Sequence, residues 1–131
     1  MSGSYSDYLE NKVLEHIVGK TSFTMPTAFV ALYTVSPTDA GGGTEAAYTS
    51  YARVTTSGAT WAAASAGSIS NAAAITFPAC TGGTSAVVAF GVLDASSGGN
   101  LLFYGALSSS KLISANDDVV FVANAIQVTV G

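Results

Sequence analysis

Few side chains in this sequence can do chemistry, and their spacing does not assemble them. His16 is the only histidine and Cys80 the only cysteine. His16 falls among charged neighbours in a stretch of helical periodicity, where it reads as a surface imidazole. A general base needs a partnered nucleophile, and none stands at a suggestive spacing. Cys80, close to Phe77 and Pro78, reads as a core thiol; alone it offers neither a disulfide framework nor a metal cluster. Asp117 and Asp118 adjoin, but two carboxylates fall short of the roughly six to eight oxygens that calcium takes. Gly41 to Gly43 lacks the Gly-Lys-Ser/Thr and the following helix of a phosphate loop. Ser108-Ser109-Ser110-Lys111 matches no nucleophile motif. Trp61, Tyr48 and Tyr51 form the one aromatic set that could stack on a sugar, although rings at strand positions more often fill a core. The expectation is a protein with no catalytic, cofactor-binding or metal-binding residues, hence not an enzyme.

Composition points the same way. The chain has 131 residues, of which only 9% are charged, against about 25% in an ordinary globular protein. That length fits one domain, residues 1–131, able to bury roughly two thirds of its unfolded surface without disulfides. The four basic residues, Lys12, Lys20, Arg53 and Lys111, are scattered, so no nucleic-acid footprint exists. A net charge of −4 is too dilute to imply a basic partner. Sparse charge has two readings that are compatible: a Ser/Thr/Gly-rich β surface, or a surface covered by other subunits, where charges are costly to desolvate. Residues 1–20 lack the apolar core of a secretory signal. No run approaches the ~18 apolar residues of a membrane span. The expectation is a protein made in the cytoplasm that stays soluble or joins an assembly.

The elements follow from periodicity. Residues 7–18 carry the one helical pattern: Tyr5, Leu9, Val13 and Ile17 recur at i+4, and Leu14 and Val18 widen the stripe. Asp7 is the expected N-cap, with Glu10 as its capping-box partner, and Gly19 the C′ glycine. About twelve residues of helix are marginal alone in water, so the stripe must dock, on its own domain or on a neighbour. Residues 1–22 are therefore taken as an N-terminal helical arm. Leu9, Val13, Leu14 and Ile17 are the candidate assembly contacts.

After the helix the pattern turns to β. Strands are expected at Ala28 to Val35, Tyr51 to Thr55, Thr60 to Ala62 and Ile75 to Phe77. A hairpin is expected within Gly91 to Lys111, flanked by strands at Val87 to Leu93 and Leu101 to Leu107 and turning at Ser96 to Asn100, with Asp94 bonded back to the loop. Val119 to Val122 and Ile126 to Val130 are expected to pair with each other across Asn124. About eight short strands with Gly/Ser/Asn turns mean an all-β fold, an antiparallel β-sandwich or small barrel with one N-terminal α-helix.

Five segments in order carry a resemblance: YLENKVLEHIVGKT at 8–21, ALYTVSPTDAGGGTE at 31–45, YARV at 51–54, ITFPACTG at 75–82 and GVLDASSGGNLLFYGALSSSK at 91–111. Together they resemble a family of small virion structural proteins of tailed bacteriophages, labelled tail-fibre or capsid-decoration (cement) proteins. The resemblance implies a phage particle component and brings no catalytic residues and no cofactor. With one domain and no fibrous stretch, the capsid-decoration role is favoured: a protein on the outer capsid surface, with the major capsid protein and its own copies as partners, as a homotrimer. The alternative is a tail-fibre, tail-tip or receptor-binding protein that contacts the host surface, where a host glycan becomes a possible partner. Neither role implies a nucleic-acid or membrane partner.

Overall fold

The first residues of the chain are part of its main sheet. Ser2–Tyr5 (β1) inserts between two much later strands, antiparallel to the one at Phe103 to Gly105 and parallel to the one at Gln127 to Val128. Gly3 permits this: a Cβ there would stand 2.8 Å from the carbonyl oxygen of Tyr104 and 3.1 Å from the Phe90 ring. The structure, a computed structural model, describes residues 2–130.

Asp7–Ile17 (α1) follows at once. Its N-cap is Ser6, not Asp7. Ser6 is extended, and its hydroxyl accepts the Leu9 N–H at 3.2 Å while donating to the Leu101 carbonyl of the sheet. A buried hydroxyl that both caps and anchors outcompetes an exposed carboxylate one residue later, and Asp7 instead supplies negative charge to the first turn. The C-terminus is as expected from Gly19. Its φ of +78° lets the Gly19 N–H reach His16 and the Lys20 N–H reach Glu15, the two bonds of a Schellman ending. Ser6→Ala should cost about 1–2 kcal/mol, because it removes the cap and leaves the buried Leu101 carbonyl without its donor. Urea denaturation checks this, and an unchanged midpoint would show that water replaces both bonds.

The remaining strands are Phe29–Val35 (β2), Thr44–Glu45 (β3), Val54–Thr55 (β4), Ser68–Ser70 (β5), Ile75–Phe77 (β6), Ser85–Leu93 (β7), Leu101–Ile113 (β8), Val119–Phe121 (β9) and Gln127–Thr129 (β10). Eight of the strands form one sheet in the order β3-β2-β7-β8-β1-β10-β5, with β4 beside β3 along β2. β6 and β9 form a separate two-stranded sheet. The fold is thus all-β and sandwich-like with one N-terminal helix. It departs from a purely antiparallel sheet at the β1–β10 pair alone.

The core lies between the main sheet and the β6–β9 layer. Val30, Leu32, Phe90, Val92 and Leu102 face Ile75, Phe77 and Phe121 in one buried cluster. Aromatic edges run through it: Phe121 meets Phe77 of its own layer at 6.0 Å and Phe90 of the main sheet at 6.2 Å. β7 is buried on both faces from Ala89 to Leu93, which is why it reads as an unbroken apolar run. A smaller cluster on the far face joins Ala31, Tyr33, Ala89, Leu93 and Leu101.

Three local expectations are corrected. Thr60 to Ala62 is not a strand: Gly58–Thr60 is a 3₁₀ turn, closed by the Thr60 hydroxyl accepting the Ser57 N–H at 3.2 Å. The β7–β8 hairpin extends past Leu107 to Ile113. Val119 to Val122 and Ile126 to Val130 do not pair with each other; β9 pairs with β6, and β10 with β1 and β5. The reason is Asn71, fully buried beneath the connection. Its amide donates to the Val122 and Ala73 carbonyls and accepts the Ile126 N–H, each at 2.9 Å, which draws the two strands to different sheets.

Candidate functional site

The groups with chemical potential are placed apart. His16 lies exposed on α1, where its Nδ1 accepts the Phe23 N–H at 3.1 Å. Cys80 is buried, and its thiol donates to the Gly82 carbonyl at 3.1 Å. Asp94 accepts from the Asn100 backbone and side chain across the hairpin turn, at 2.7 and 3.1 Å. Asp117 caps its own turn by accepting the Ser114 N–H at 2.8 Å, and Asp118 is exposed beside it. Among the described residues, no three His, Cys, Asp or Glu side chains gather in one place. No helix among them is long and apolar enough to cross a membrane.

The aromatic set divides. Tyr48 and Tyr51 meet edge-on at 5.4 Å, against the main core. Trp61 is elsewhere: it packs edge-on against Phe103 and its Nε1 donates to Thr56 at 3.1 Å. Their separation follows from the 3₁₀ turn, which carries Trp61 away from the strand that was expected to hold it beside the tyrosines.

One polar centre escaped the sequence reading. Glu45 on β3 and Arg53 just before β4 form a two-pronged pair, with Nε and Nη2 each 2.9 Å from a carboxylate oxygen. Arg53 Nη1 reaches the hairpin tip, donating to the Ala95 and Gly98 carbonyls at 2.7 and 2.9 Å. Tyr51 donates to Glu45 and accepts the Leu32 N–H. Burial pushes the Glu45 carboxyl up, but the bonds from Arg53 and Tyr51 and the guanidinium charge outweigh it and hold the group below its usual range. Burial and the bond to Glu45 push the Tyr51 phenol strongly up. The guanidinium is consumed by these contacts, so the cleft of about 420 Å³ above it has no free cation from Arg53. The arrangement is a clamp that ties the hairpin tip to the β3–β4 edge.

The four candidate assembly residues also divide. Leu9 is 7% exposed and belongs to the main core, with Val13 packed partly against it. Leu9 is therefore held by its own domain and has no surface to offer a partner. Leu14 and Ile17 are 65% and 75% exposed, and Val18 beside them 77%. Periodicity marks all these positions as apolar, but the seat on the β body is narrower than the stripe. On the covered side of the helix runs an apolar groove of about 470 Å³, lined by Leu9, Val13, Phe23, Trp61, Ile69 and Phe103.

The chain is a small sandwich-like β protein with an apolar groove along helix α1. The family model described as "Podophage GP4 fiber I protein gp80" matches residues 4–129, and the chain belongs to that family. It is thereby a virion structural protein of the phage fibre family, and the match falls on the fibre side of the resemblance rather than the capsid-decoration side. No curated protein matches the chain.

Proposed function

We propose that this chain is a non-enzymatic subunit of a phage fibre, carried on the tail side of the virion and contacting neighbouring virion proteins and the host surface. The observation that carries the reading is the family match across residues 4–129. The polar chemistry supports it: His16, Cys80, Asp94, Asp117, Glu45 and Arg53 are each engaged in bonds that fix the chain's own turns and strands. The capsid-decoration role is the weaker of the two, since it draws only on the single domain and the lack of a fibrous stretch, while the family match falls on the fibre side. Quantitative mass spectrometry of purified particles, with antibody labelling in the electron microscope, tests the placement. Tens of copies with label at the tail are expected. Hundreds of copies with label over the shell would return the protein to the capsid.

A further inference from the structure

Helix α1 is held on two of its sides. At about 100° per residue, Leu9 and Val13 turn toward the β body. Tyr8 and His16 turn toward the segment after Gly19, which doubles back along the helix. There the Phe23 N–H bonds His16, and the Phe23 ring meets Tyr8 edge-on at 6.5 Å. The third side has no cover, and it carries Leu14, Ile17 and Val18.

Area says what size of partner fits. Those three side chains leave on the order of 350 Å² of apolar surface open, within the range of the largest patch on a typical monomer. With an apolar share of about 65%, as in homodimers, the whole interface would span about 550 Å² per partner, the low end of specific complexes and fitting a micromolar contact.

Charge says which partner. The open side begins at Asp7 and Glu10, in the first turn, and ends at Lys20 just past the last. Two such helices packed antiparallel bring each acidic end to a basic end and oppose their dipoles favourably. A parallel pairing would stack like charges.

We propose that a second copy of this chain docks on this face, α1 against α1 about a two-fold axis, with Leu14 and Ile17 at the centre and Glu10 facing Lys20 of the other copy. The contact goes beyond the fibre reading and does not depend on it. It also differs from the trimer implied by the resemblance, because pairing one helix antiparallel with its own copy needs a two-fold axis.

Sedimentation velocity on the purified chain tests the stoichiometry. A dimer at micromolar concentration is expected, persisting in 1 M salt because its centre is apolar. Leu14→Glu with Ile17→Glu should weaken it at least 100-fold while circular dichroism and melting temperature stay native, since both side chains are exposed. Lys20→Glu should weaken it and Glu10→Lys in the same chain should restore it. Under mild oxidation the Leu14→Cys variant should cross-link to its own copy, as a residue near a two-fold axis does; the native Cys80 is buried, and Lys111→Cys is the exposed control. A monomer at 100 µM, a trimer, or an oligomer indifferent to the Leu14 and Ile17 substitutions would each overturn the proposal. A face that leaves the chain monomeric but binds another isolated virion protein would assign it to that protein instead.

Discussion

Asn71→Asp should lower stability by about 3–5 kcal/mol at neutral pH, the loss expected when a buried bonded network is broken around an unpaired charge. The side chain is fully buried, and its Nδ2 donates to two carbonyls, of Ala73 and Val122. Replacing that nitrogen by a carboxylate oxygen sets negative charge against both carbonyls and removes a donor from each, leaving Val122 with the Ala125 N–H alone. In a chain of this size the melting temperature should fall by roughly 10–20 °C. The sign of the pH response identifies the cause. Burial raises an aspartate pKa in the folded state above its unfolded value, so the penalty is present at neutral pH and shrinks as pH falls through the raised folded value, where the protonated acid donates to one carbonyl. Asn71→Ala should lose about 2–3 kcal/mol with no such pH dependence. A variant Asn71→Asp melting within a few degrees of the parent, at neutral and acidic pH alike, would show that Asn71 does not hold the connection between β9 and β10.

Asn71 also marks where the sequence stops being legible. The helix at residues 7–17 and the hairpin around Asp94 to Asn100 are visible because their determinants lie within a few residues: apolar positions at i+4, a C′ glycine, an aspartate six residues before the asparagine it bonds. Two of the partners of Asn71 lie 51 and 55 residues away, and nothing local distinguishes it among the Ser and Ala around it. The same holds for β1, read only as the start of a helical arm over residues 1–22, because its partners in β8 and β10 lie far along the chain. The candidate assembly stripe was legible as composition and not as geometry. Periodicity selects Leu9, Val13, Leu14 and Ile17 together; only the width of the β seat decides that Leu9 is core and Ile17 is surface. The fibre family was readable from ordered segments, while the choice of fibre over capsid decoration was not, because sparse charge suits either role.

Arg53→Ala should destabilise the protein by about 2–4 kcal/mol, with the loss concentrated at the hairpin tip. Removing one partner of a buried ion pair costs about 3–5 kcal/mol when both are sealed. Here the Arg53 side chain is 7% exposed but Glu45 is 27% exposed, so water recovers part of the loss. Two further bonds disappear, to the Ala95 and Gly98 carbonyls. Arg53→Lys should recover little: an ammonium cannot present the flat fork that spans both carboxylate oxygens and still reach the turn. The pH dependence has a fixed direction. The folded Glu45 carboxyl sits below its ordinary value of 4.5, so the pair contributes fully above that value. The contribution is lost as pH falls through the lower folded value, and the gap between parent and Arg53→Ala should narrow there. Hydrogen exchange at residues 95–100 separates a local clamp from a general stabiliser. Exchange should accelerate in the variant at the tip far more than in the β7–β8 ladder, since the ladder keeps its own bonds and the tip has lost its anchor. Equal acceleration across both would mean that Arg53 stabilises the whole domain and the hairpin tip has no separate dependence on it.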